Sequence, residues 1–443
     1  MLAAAAATTC LALAATGCGE DRRPVRVAVL TECAGPLETS KESIVGAAEL
    51  PFIERGARLR GDRPIDGLED ARVGGRPVEL LVGCTTVVND LTRQIVEVRR
   101  LIESGGADVI IGPVGESEGV LERRLAARYP DVAFVLGEGQ AQGATLSDPQ
   151  PNLFRFTADG AQSTAGLGAY AYRVLGWRRA GVAMDPPPAS WEAAAGFVAE
   201  FCALGGTVIS RALLFAGLNP DDADAAAGDR EIGVGFRRDV DGTMLIATYN
   251  STAAFLRGYG PRTDLPRRVV LNGGGFFFPG GLSPGGIDLS GVVLGNDVPR
   301  ESERPRWRRY LRAFARAFPQ LSPKSAQGLA EFPAYMGAEA VARALDRVDG
   351  DLGPRGGRLR AALSNVAFDG PAGPVRLDRN RQAVVSVHLR RIVGTGERAH
   401  TVPVRVVQDV DQSFGGAFNA HTPPPSLESP KCRRGPVPAW ASD

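Results

Sequence analysis

The stretch VRVAVLT at residues 25–31 decides the fold class of this chain. It is an almost continuous apolar run, as expected for a parallel strand that is buried on both faces of its sheet. A Gly-Pro turn at 35–36 and a helical pattern at 44–58 follow it. Strand and helix patterns then alternate at 78–82, 89–104, 109–111, 118–128 and 132–136. This alternation predicts an α/β fold with a doubly wound parallel sheet and helices on both of its faces.

A second series of the same kind begins after the residues Phe154-Arg155-Phe156. Its helix and strand patterns fall at 164–175, 180–183, 191–204, 207–210, 243–247, 252–259 and 269–271, and they predict a second sheet of similar size. A third portion has a strand pattern at 292–294 and helical patterns at 306–318, 332–347 and 357–363. It is too small to fold alone, so we predict that it returns to complete the first sheet. From residue 396 onward proline and glycine dominate, which predicts an extended tail on one lobe.

Composition and motifs argue against several function classes. The chain has 443 residues, of which 44% are hydrophobic and 23% charged, and its net charge is +1. These values indicate an ordinary globular protein with no overall field that attracts nucleic acid. The histidines His388, His400 and His421 are scattered and no CxxC or HExxH motif occurs, so we predict no metal site and no cofactor. No GxxxxGK[ST] motif occurs either, so the chain carries no ATPase of its own.

The first residues resemble a bacterial export signal. Residues 2–17 are apolar, too short to span a bilayer, and fit the hydrophobic part of a signal peptide. They end at Ala15-Thr16-Gly17-Cys18, which resembles a lipobox. We therefore predict a lipoprotein signal peptide at 1–17, lipidation of Cys18 and a tether at 18–24. The alternative is a buried alanine-rich helix with a chance Gly-Cys pair.

Several stretches together carry a resemblance to a known family. They are VRVAVLTECAGPL from residue 25, VIIGP from 109, LGWRRAGVAMD from 175, AAGFVAEFCALGG from 194 and FDGPAGPVRLDRNRQAVVSVHLRRI from 368. In this order and spacing they resemble the type I periplasmic binding proteins, and within them the leucine/isoleucine/valine-binding branch. The resemblance covers residues 25–394, which is most of the chain after the predicted signal peptide.

The resemblance implies two Rossmann-like lobes that are joined by three crossovers and close on a ligand by a hinge motion. It places the N-lobe at 25–157 and 290–375 and the C-lobe at 158–289 and 376–395, with the tail at 396–443. It implies a solute-binding lipoprotein of an ABC importer, a monomer on the outer face of the bacterial cell membrane, attached only by its lipid. The permease and the ATPase would be separate chains. A ligand-sensing lipoprotein of the same fold, which reports to a receptor, is the alternative.

The resemblance also implies a ligand site, because the family binds its ligands with loops that follow successive strands. The matching positions in this chain are Glu116, Ser117, Glu138, Gly139, Gln140, Trp191, Tyr249, Gly273 and Gly274. Trp191 stands where the family often has Tyr, and its alternative role is core packing at the start of a helix. The loop at 272–275 lacks the carboxylate that usually holds a ligand ammonium, whereas Glu138 stands where a ligand carboxylate is usually bound. A small polar, amino-acid-like ligand is therefore expected, without the branched-chain specificity.

The charge of the predicted cleft restricts the expected charge of the ligand. Glu116 and Glu138 follow adjacent strands, so both are expected on one wall of the cleft. No Lys or Arg occurs at 112–119, 136–143 or 271–275. Two carboxylates without a cation repel an anion, which favours a cationic ligand or one rich in hydroxyl and amide groups. The alternative is that one or both glutamates turn to solvent or cap the following helix.

Two further motifs suggest enzymes, but their context does not support either. Residues 115–119 (GESEG) match G-x-S-x-G after a strand, which would make Ser117 the nucleophile of a serine hydrolase. The glycine loop at 272–275, which would form the oxyanion hole, comes after the serine instead of before it. The glycine pattern at 137–143 is followed by proline-broken sequence rather than by the helix of a dinucleotide site. We therefore predict a binding protein and not an enzyme.

Four cysteines lie beyond the predicted signal peptide and lipidation site. Cys33, Cys84, Cys202 and Cys432 are an even number, as expected in an oxidising compartment. Cys33 and Cys84 lie just past the carboxyl ends of strands that are neighbours in a 2-1-3-4-5 strand order, so we predict a disulfide between them. The even count and the lack of a core in the tail then predict a second disulfide, Cys202–Cys432.

Overall fold

A computed structural model describes residues 23–34, 38–86, 91–112, 119–138, 140–186, 189–214, 237, 239–259, 264–273, 282–299 and 304–442. Within these ranges the chain forms two large sheets, with helices packed around them, and one small ribbon. The predicted two-lobed α/β fold with parallel-dominated sheets is confirmed.

The first sheet contains the strand that decides the fold class. Its strands and those of the ribbon are β1 (Val25–Ala34), β2 (Arg58–Leu59), β3 (Leu68–Glu69), β4 (Arg72–Val73), β5 (Arg76–Thr86), β6 (Val109–Ile111), β7 (Ala133–Val135) and β8 (Leu153–Phe154). The sheet order is β4-β5-β1-β6-β7-β8, the ribbon pairs β2 with β3, and β4 is the antiparallel strand of this sheet. Val25, Val27 and Val29 face one hydrophobic core, whereas Ala28 and Leu30 face another. Burial on both faces is why 25–31 is apolar throughout.

The second sheet is larger and mixed. Its strands are β9 (Arg179–Met184), β10 (Thr207–Leu213), β11 (Gly242–Ile246), β12 (Val269–Asn272), β13 (Val293–Asn296), β14 (Ala367–Asp369), β15 (Pro374–Leu377), β16 (Ala383–Val393) and β17 (His400–Val410). The order is β10-β9-β11-β12-β13-β16-β15-β14, and β17 pairs with β16. Strands β9 to β13 are parallel to one another, and the pairings from β13 through β16 to β14 and β17 are antiparallel.

Helices flank both sheets. Their bounds are α1 (Lys41–Ile53), α2 (Leu91–Arg99), α3 (Gly119–Arg128), α4 (Gly143–Leu146), α5 (Leu167–Ala169), α6 (Ala189–Ala203), α7 (Tyr249–Tyr259), α8 (Leu265–Arg268), α9 (Pro305–Ala317), α10 (Glu331–Arg347) and α11 (Gly357–Ser364). Helices α1 and α10 pack together on the first sheet. Gly337 lets α10 approach closely, because a Cβ there would lie 2.8 Å from Cγ1 of Val135. Helix α6 packs on the second sheet with Phe197 and Phe201, whose stacked rings lie 5.4 Å apart.

One strand lies in a different sheet from the one predicted. The strand pattern at 292–294 was expected to complete the first sheet, but β13 pairs with β12 and β16 in the second sheet, with Val270 opposite Val293. The helices that follow do pack on the first sheet, as predicted. The strand prediction was wrong because an apolar run shows that a strand is buried but not which sheet buries it.

The tail was also predicted incorrectly in part. Residues 400–410 form β17, a full antiparallel partner of β16, rather than extended chain that only lies on a lobe. Beyond β17, Phe414, Phe418 and Trp440 join the core of the second lobe, and Phe414 contacts the Trp440 ring edge to face at 5.3 Å. The proline content obscured this strand, since HTVPVRVVQDV has its proline at position 403, although Val407 and Val410 are buried in the structure.

Both cysteine pairs are bonded in the structure. Cys33 and Cys84 form a disulfide with a Cα–Cα distance of 5.2 Å, and the neighbouring register places Thr31 opposite Cys84. Cys202 of α6 and Cys432 of the tail form the second disulfide, with a Cα–Cα distance of 5.3 Å. The first bridge joins two neighbouring strands, and the second attaches the tail to the second lobe.

Candidate ligand site

The predicted ligand residues that the structure describes all lie where strands end and helices begin. Glu138 and Gln140 follow β7, Trp191 lies in the first turn of α6 after β9, Tyr249 begins α7 after β11, and Gly273 follows β12. The carboxyl ends of parallel strands share one edge of a sheet, where open α/β sheets bind ligands. Four of the predicted ligand residues, and the predicted lipidation site, lie outside the described residues: Glu116, Ser117, Gly139, Gly274 and Cys18.

A glycine brings the first two parts of this site together. Gly160 lies in the segment that leads from β8 to β9, and its N–H donates to the Gln140 carbonyl at 2.9 Å. A Cβ on Gly160 would lie 2.5 Å from Cβ of Glu192, so only glycine allows α6 to approach this segment so closely. The loop after β7 and the first turn of α6, which carries Trp191, therefore meet at Gly160.

Tyr249 and Gly273 have contacts within the second lobe. The Tyr249 hydroxyl donates to the Ser283 carbonyl at 3.3 Å and accepts from the Gly285 N–H at 3.1 Å, which holds the 283–285 turn against α7. A Cβ on Gly273 would lie 3.1 Å from Cβ of Asn296, so this glycine serves the close packing of β12 against β13. These contacts give both residues a structural role beside the predicted one.

Glu192 is a residue of this site that the sequence reasoning missed. It is buried, its carboxylate lies near the Gln142 backbone N–H, and its Oε2 has no hydrogen-bond partner among the described residues. Gln142 lies between β7 and β8 of the first sheet, whereas Glu192 lies in α6, which packs in the second core, so this contact links elements of the two lobes. Burial, with a smaller contribution from Asp159, raises the pKa of Glu192 to about 8. The only sequence signal was an acidic residue in a helix first turn, which usually marks a solvent-exposed cap.

Trp191, directly before Glu192, also has an unsatisfied polar atom. Its ring is partly buried against the second core, and its indole Nε1–H has no acceptor among the described residues. Buried polar atoms without partners are rare in native proteins, and each one calls for an explanation. A bound molecule that offers an acceptor to Trp191 and a donor to Glu192 would satisfy both atoms.

The segments that connect the two lobes form a buried polar network. Arg155 is fully buried between β8 and β9, and its guanidinium donates to Oε1 of Gln382 at 2.9 Å and to the Ala141 carbonyl at 2.7 Å. Its backbone also bonds to the connecting segment between β15 and β16, which is the third connecting segment. The Arg155 N–H donates to the Arg381 carbonyl at 3.0 Å, and the Arg155 carbonyl accepts from the Ala383 N–H at 2.9 Å. Arg155 therefore ties the ligand loop after β7 to two of the connecting segments.

Buried acids outnumber the buried base in this network. The Asp159 carboxylate accepts the Gln162 N–H at 2.8 Å, and the Asp297 carboxylate accepts the Ala158 N–H at 3.1 Å, which joins the connection after β13 to the one after β8. Burial raises the pKa of each to about 6, and in Asp159 the charge of Arg155 opposes the rise. With Glu192, three carboxyl groups of the described connecting segments and α6, those of Asp159, Glu192 and the partly exposed Asp297, accompany the cation Arg155. This arrangement favours a proton or a positively charged group at the site.

We expect the stability of the protein to depend on pH through Glu192. Its pKa is 4.5 in an exposed chain and about 8 in the folded protein. Its proton therefore stabilises the fold fully below about pH 4.5, and this contribution is lost as the pH rises through about 8. Relative to Glu192→Gln, the wild-type protein should lose up to about 1.4 kcal/mol of unfolding free energy per pH unit between pH 5 and 8.

Urea denaturation of both proteins at pH 5, 6.5 and 8 measures this difference. The exposed Glu397 provides the matched control, and Glu397→Gln should keep the same offset from wild type at every pH. Parallel pH profiles for wild type and Glu192→Gln would contradict the assignment of a buried, protonated Glu192.

Two other kinds of site find no support in the described part of the chain. No group of three or more His, Cys, Asp or Glu side chains there could hold a metal ion. Among the same residues, no helix has the length and apolar character that crossing a membrane requires.

A family model matches most of the chain. The sequence model of the family described as periplasmic binding protein matches residues 24–397. No curated protein matches the sequence.

Solved structures of solute-binding proteins share the fold. An ABC transporter substrate-binding protein from Sphaerobacter thermophilus is 23% identical, with a TM-score of 0.70 over 88% of this chain and 99% of that one. An ABC transporter solute-binding protein from R. palustris in complex with benzoate is 18% identical, with a TM-score of 0.64 over 88% of this chain and 97% of that chain. A leucine-binding protein from Thermotoga maritima is 17% identical, with a TM-score of 0.64 over 87% of this chain and 99% of that chain.

Proposed function

This chain belongs to the periplasmic binding protein family, and from that premise we propose that it is the solute-binding subunit of an ABC importer. It captures a small polar ligand between its two lobes and delivers the ligand to a permease, without catalysing a reaction. The observation that carries this proposal is the meeting of the loop after β7 with the first turn of α6 at Gly160, beside the segments that join the lobes. Closure of a hinge there would bring the ligand residues of both lobes together.

We further propose that the ligand carries hydrogen-bond donors or a positive charge, as an amino-acid-like molecule with an ammonium group does. The acids of the network, which are the buried Asp159 and Glu192 and the partly exposed Asp297, exceed its buried base Arg155, and Oε2 of Glu192 has no hydrogen-bond partner among the described residues. The structural relatives do not decide the ligand, because one of them is a leucine-binding protein and another is in complex with benzoate. An anion such as benzoate would add to the negative charge at this site.

The predicted cellular context completes the proposal. Lipidation of Cys18 would hold the protein, as a monomer, on the outer face of the cell membrane, where the oxidising surroundings suit the Cys33–Cys84 and Cys202–Cys432 disulfides. The permease and the ATPase would be separate chains. Metabolic labelling with a radioactive fatty acid tests the anchor, since label should enter the wild-type protein and be absent from Cys18→Ala.

A thermal-shift screen of the purified protein tests the proposed function. The set should contain amino acids, polyamines, amides, sugars and aromatic acids. A true ligand present at 100 times its Kd stabilises the protein by about 2.7 kcal/mol, which is readily measured. We expect hits among cationic or zwitterionic compounds that carry an ammonium group. Hits confined to simple carboxylates such as benzoate would contradict the proposed ligand class, and no hit in any class would contradict the function.

Trp191 provides a residue-level prediction for the same assay. Trp191→Ala should weaken the binding of a hit from the screen by roughly 10- to 100-fold, because a ring that covers a ligand contributes about 1–3 kcal/mol. Trp191→Phe keeps the ring but removes the N–H, so it should fall between wild type and Trp191→Ala. Isothermal titration calorimetry measures all three proteins. The matched control is Trp440→Phe in the tail core, which should bind like wild type. Normal binding by Trp191→Ala would show that Trp191 does not contact the ligand.

A further inference from the structure

A cavity of the first lobe lies away from the carboxyl ends of its strands. It has a volume of about 310 Å³ and lies between α1, the middle of β5 and the segment at 60–68. The charged residues that line it are Glu49, Arg60, Asp66, Glu79 and Arg100. Leucine and valine side chains of β5 line it as well, and the volume is at the lower end of the range for small-molecule sites.

Glu49 is the unusual residue of this cavity. It lies on the inner face of α1 with 0% of its surface exposed, and neither of its carboxylate oxygens has a hydrogen-bond partner in the described structure. A buried carboxylate without a partner costs several kcal/mol. A residue that only filled space at this position would be apolar, like its neighbours Leu50 and Phe52 on the same helix.

The other charged groups of the cavity already have partners. Both Nε and Nη2 of Arg100 donate to the Glu97 carboxylate at 2.8 Å. Nη2 of Arg60 donates to the Leu68 carbonyl at 3.3 Å, and Oε2 of Glu79 accepts from Nε of Arg26 at 2.9 Å. Oδ2 of Asp66 accepts the Arg63 N–H at 3.1 Å. Glu49 is therefore the group that still needs a donor, and the neighbouring Asp66 adds a second negative charge.

We propose that this cavity is a second binding site, distinct from the cleft between the lobes, which takes a small alkylammonium compound. Its alkyl chain would lie against the leucines of β5, and its ammonium would bind Glu49 after a small shift of the lining side chains, because Glu49 has no exposed surface in the empty cavity. The ammonium offers three N–H donors and one positive charge. The donors match the two unsatisfied oxygens of Glu49, and the charge matches the negative charges of Glu49 and Asp66. The alkyl chain would replace water on the apolar part of the lining. This inference does not depend on the ligand or the transport role proposed for the cleft.

The site should bind its ligand more tightly as the pH rises. Burial, and then the charge of Asp66, raises the pKa of Glu49 to about 9. An ammonium binds the ionised carboxylate, and the ionised fraction grows about tenfold per pH unit below the pKa, whereas an alkylammonium itself remains charged up to about pH 10. Affinity should therefore increase about tenfold from pH 7 to pH 8. Arg60, Glu79 and Arg100 also face the cavity, with the partners given above.

Isothermal titration of the full-length protein with n-butylammonium chloride tests the proposal. Binding should be detected at pH 8, should be about tenfold weaker at pH 7, and should be absent with butanol or butyrate. Glu49→Gln keeps the shape of the side chain but loses its charge, and should lower the affinity at least tenfold. The matched control Glu54→Gln lies at the exposed end of the same helix and should bind like wild type.

A second variant protects the test against misfolding of Glu49→Gln. Leu80→Phe fills the cavity from β5 without changing Glu49, and it should abolish binding of n-butylammonium. Equal affinity of wild type and Glu49→Gln, equal binding of butanol, or unchanged binding by Leu80→Phe would each overturn the site. Failure of wild type to bind n-butylammonium at millimolar concentrations at pH 8 would overturn it as well, and none of these results bears on the ligand of the cleft.

Discussion

Replacing Cys202 and Cys432 together by serine is expected to lower the free energy of unfolding of the second lobe by about 5 kcal/mol. The disulfide joins α6 to the tail across a sequence separation of 230 residues. In the chain-entropy model a bridge stabilises by restricting the unfolded chain, and the effect grows with the logarithm of the loop length. The tail packs Phe414, Phe418 and Trp440 into the second core, so its release would also expose these rings.

Guanidinium denaturation followed by near-UV circular dichroism and tail-directed limited proteolysis measures this effect. The double variant should unfold at lower denaturant concentration and be cut in the tail under native conditions. The matched control replaces Cys33 and Cys84 by serine, whose sequence separation is 51 residues. By the same model that bridge contributes about 4 kcal/mol, roughly 1 kcal/mol less. A tail that stays protected and a midpoint that does not move in the first variant would show that core packing alone holds the tail.

Arg155→Met should destabilise the protein by about 3–5 kcal/mol, because removing one partner of a buried charge network leaves the remaining charges without compensation. The substitution removes the hydrogen bonds to Gln382 and to the Ala141 carbonyl. It also removes the positive charge that opposes the protonation of Asp159. Methionine has a similar length, so the loss does not come from a large cavity.

The exposed Arg379 lies in the third connecting segment and provides the control. Arg379→Met should change the free energy of unfolding by less than about 0.5 kcal/mol. Urea denaturation at pH 7 compares the two variants. A second series at pH 5 distinguishes the loss of the positive charge of Arg155 from the change in its packing. Arg155→Met should recover part of its stability at pH 5, where Asp159, whose pKa is about 6, takes up a proton, whereas Glu192, whose pKa is about 8, is already largely protonated at pH 7. A variant as stable as wild type at both pH values would refute the importance of this buried charge.

The same network shows what holds the connecting segments together where the two lobes meet. Two of the connecting segments are held together by backbone hydrogen bonds at Arg155, Arg381 and Ala383. The side-chain contact of Glu192 with Gln142, in contrast, spans the two lobes. If the lobes open by a hinge, as we propose for ligand capture, these backbone hydrogen bonds would stay and contacts such as that of Glu192 would change.

Much of the architecture could be predicted from the sequence. The apolar run at 25–31 predicted a strand that is buried on both faces, and Val27 and Ala28 do face different cores. The alternation of strand and helix patterns predicted parallel sheets with their loops at one edge. From the resulting strand order it followed that Cys33 and Cys84 are neighbours, and they form a disulfide. The roles of the predicted ligand residues stay predictions.

Only the tertiary structure decided which elements meet. Periodicity shows that a strand is buried but not against which partner, so the sheet of β13 and the pairing of β17 with β16 could not be obtained from the sequence. The burial of acidic side chains could not be obtained from the sequence for the same reason. In the sequence, Glu49 and Glu192 look like ordinary surface acids in a helical pattern. Their burial depends on residues far away in the sequence, on α10 packed against α1 for Glu49 and on the close approach at Gly160 for Glu192. Hydrophobic patterning is a local property of the chain, whereas desolvation of a carboxylate is set by everything that the fold packs around it.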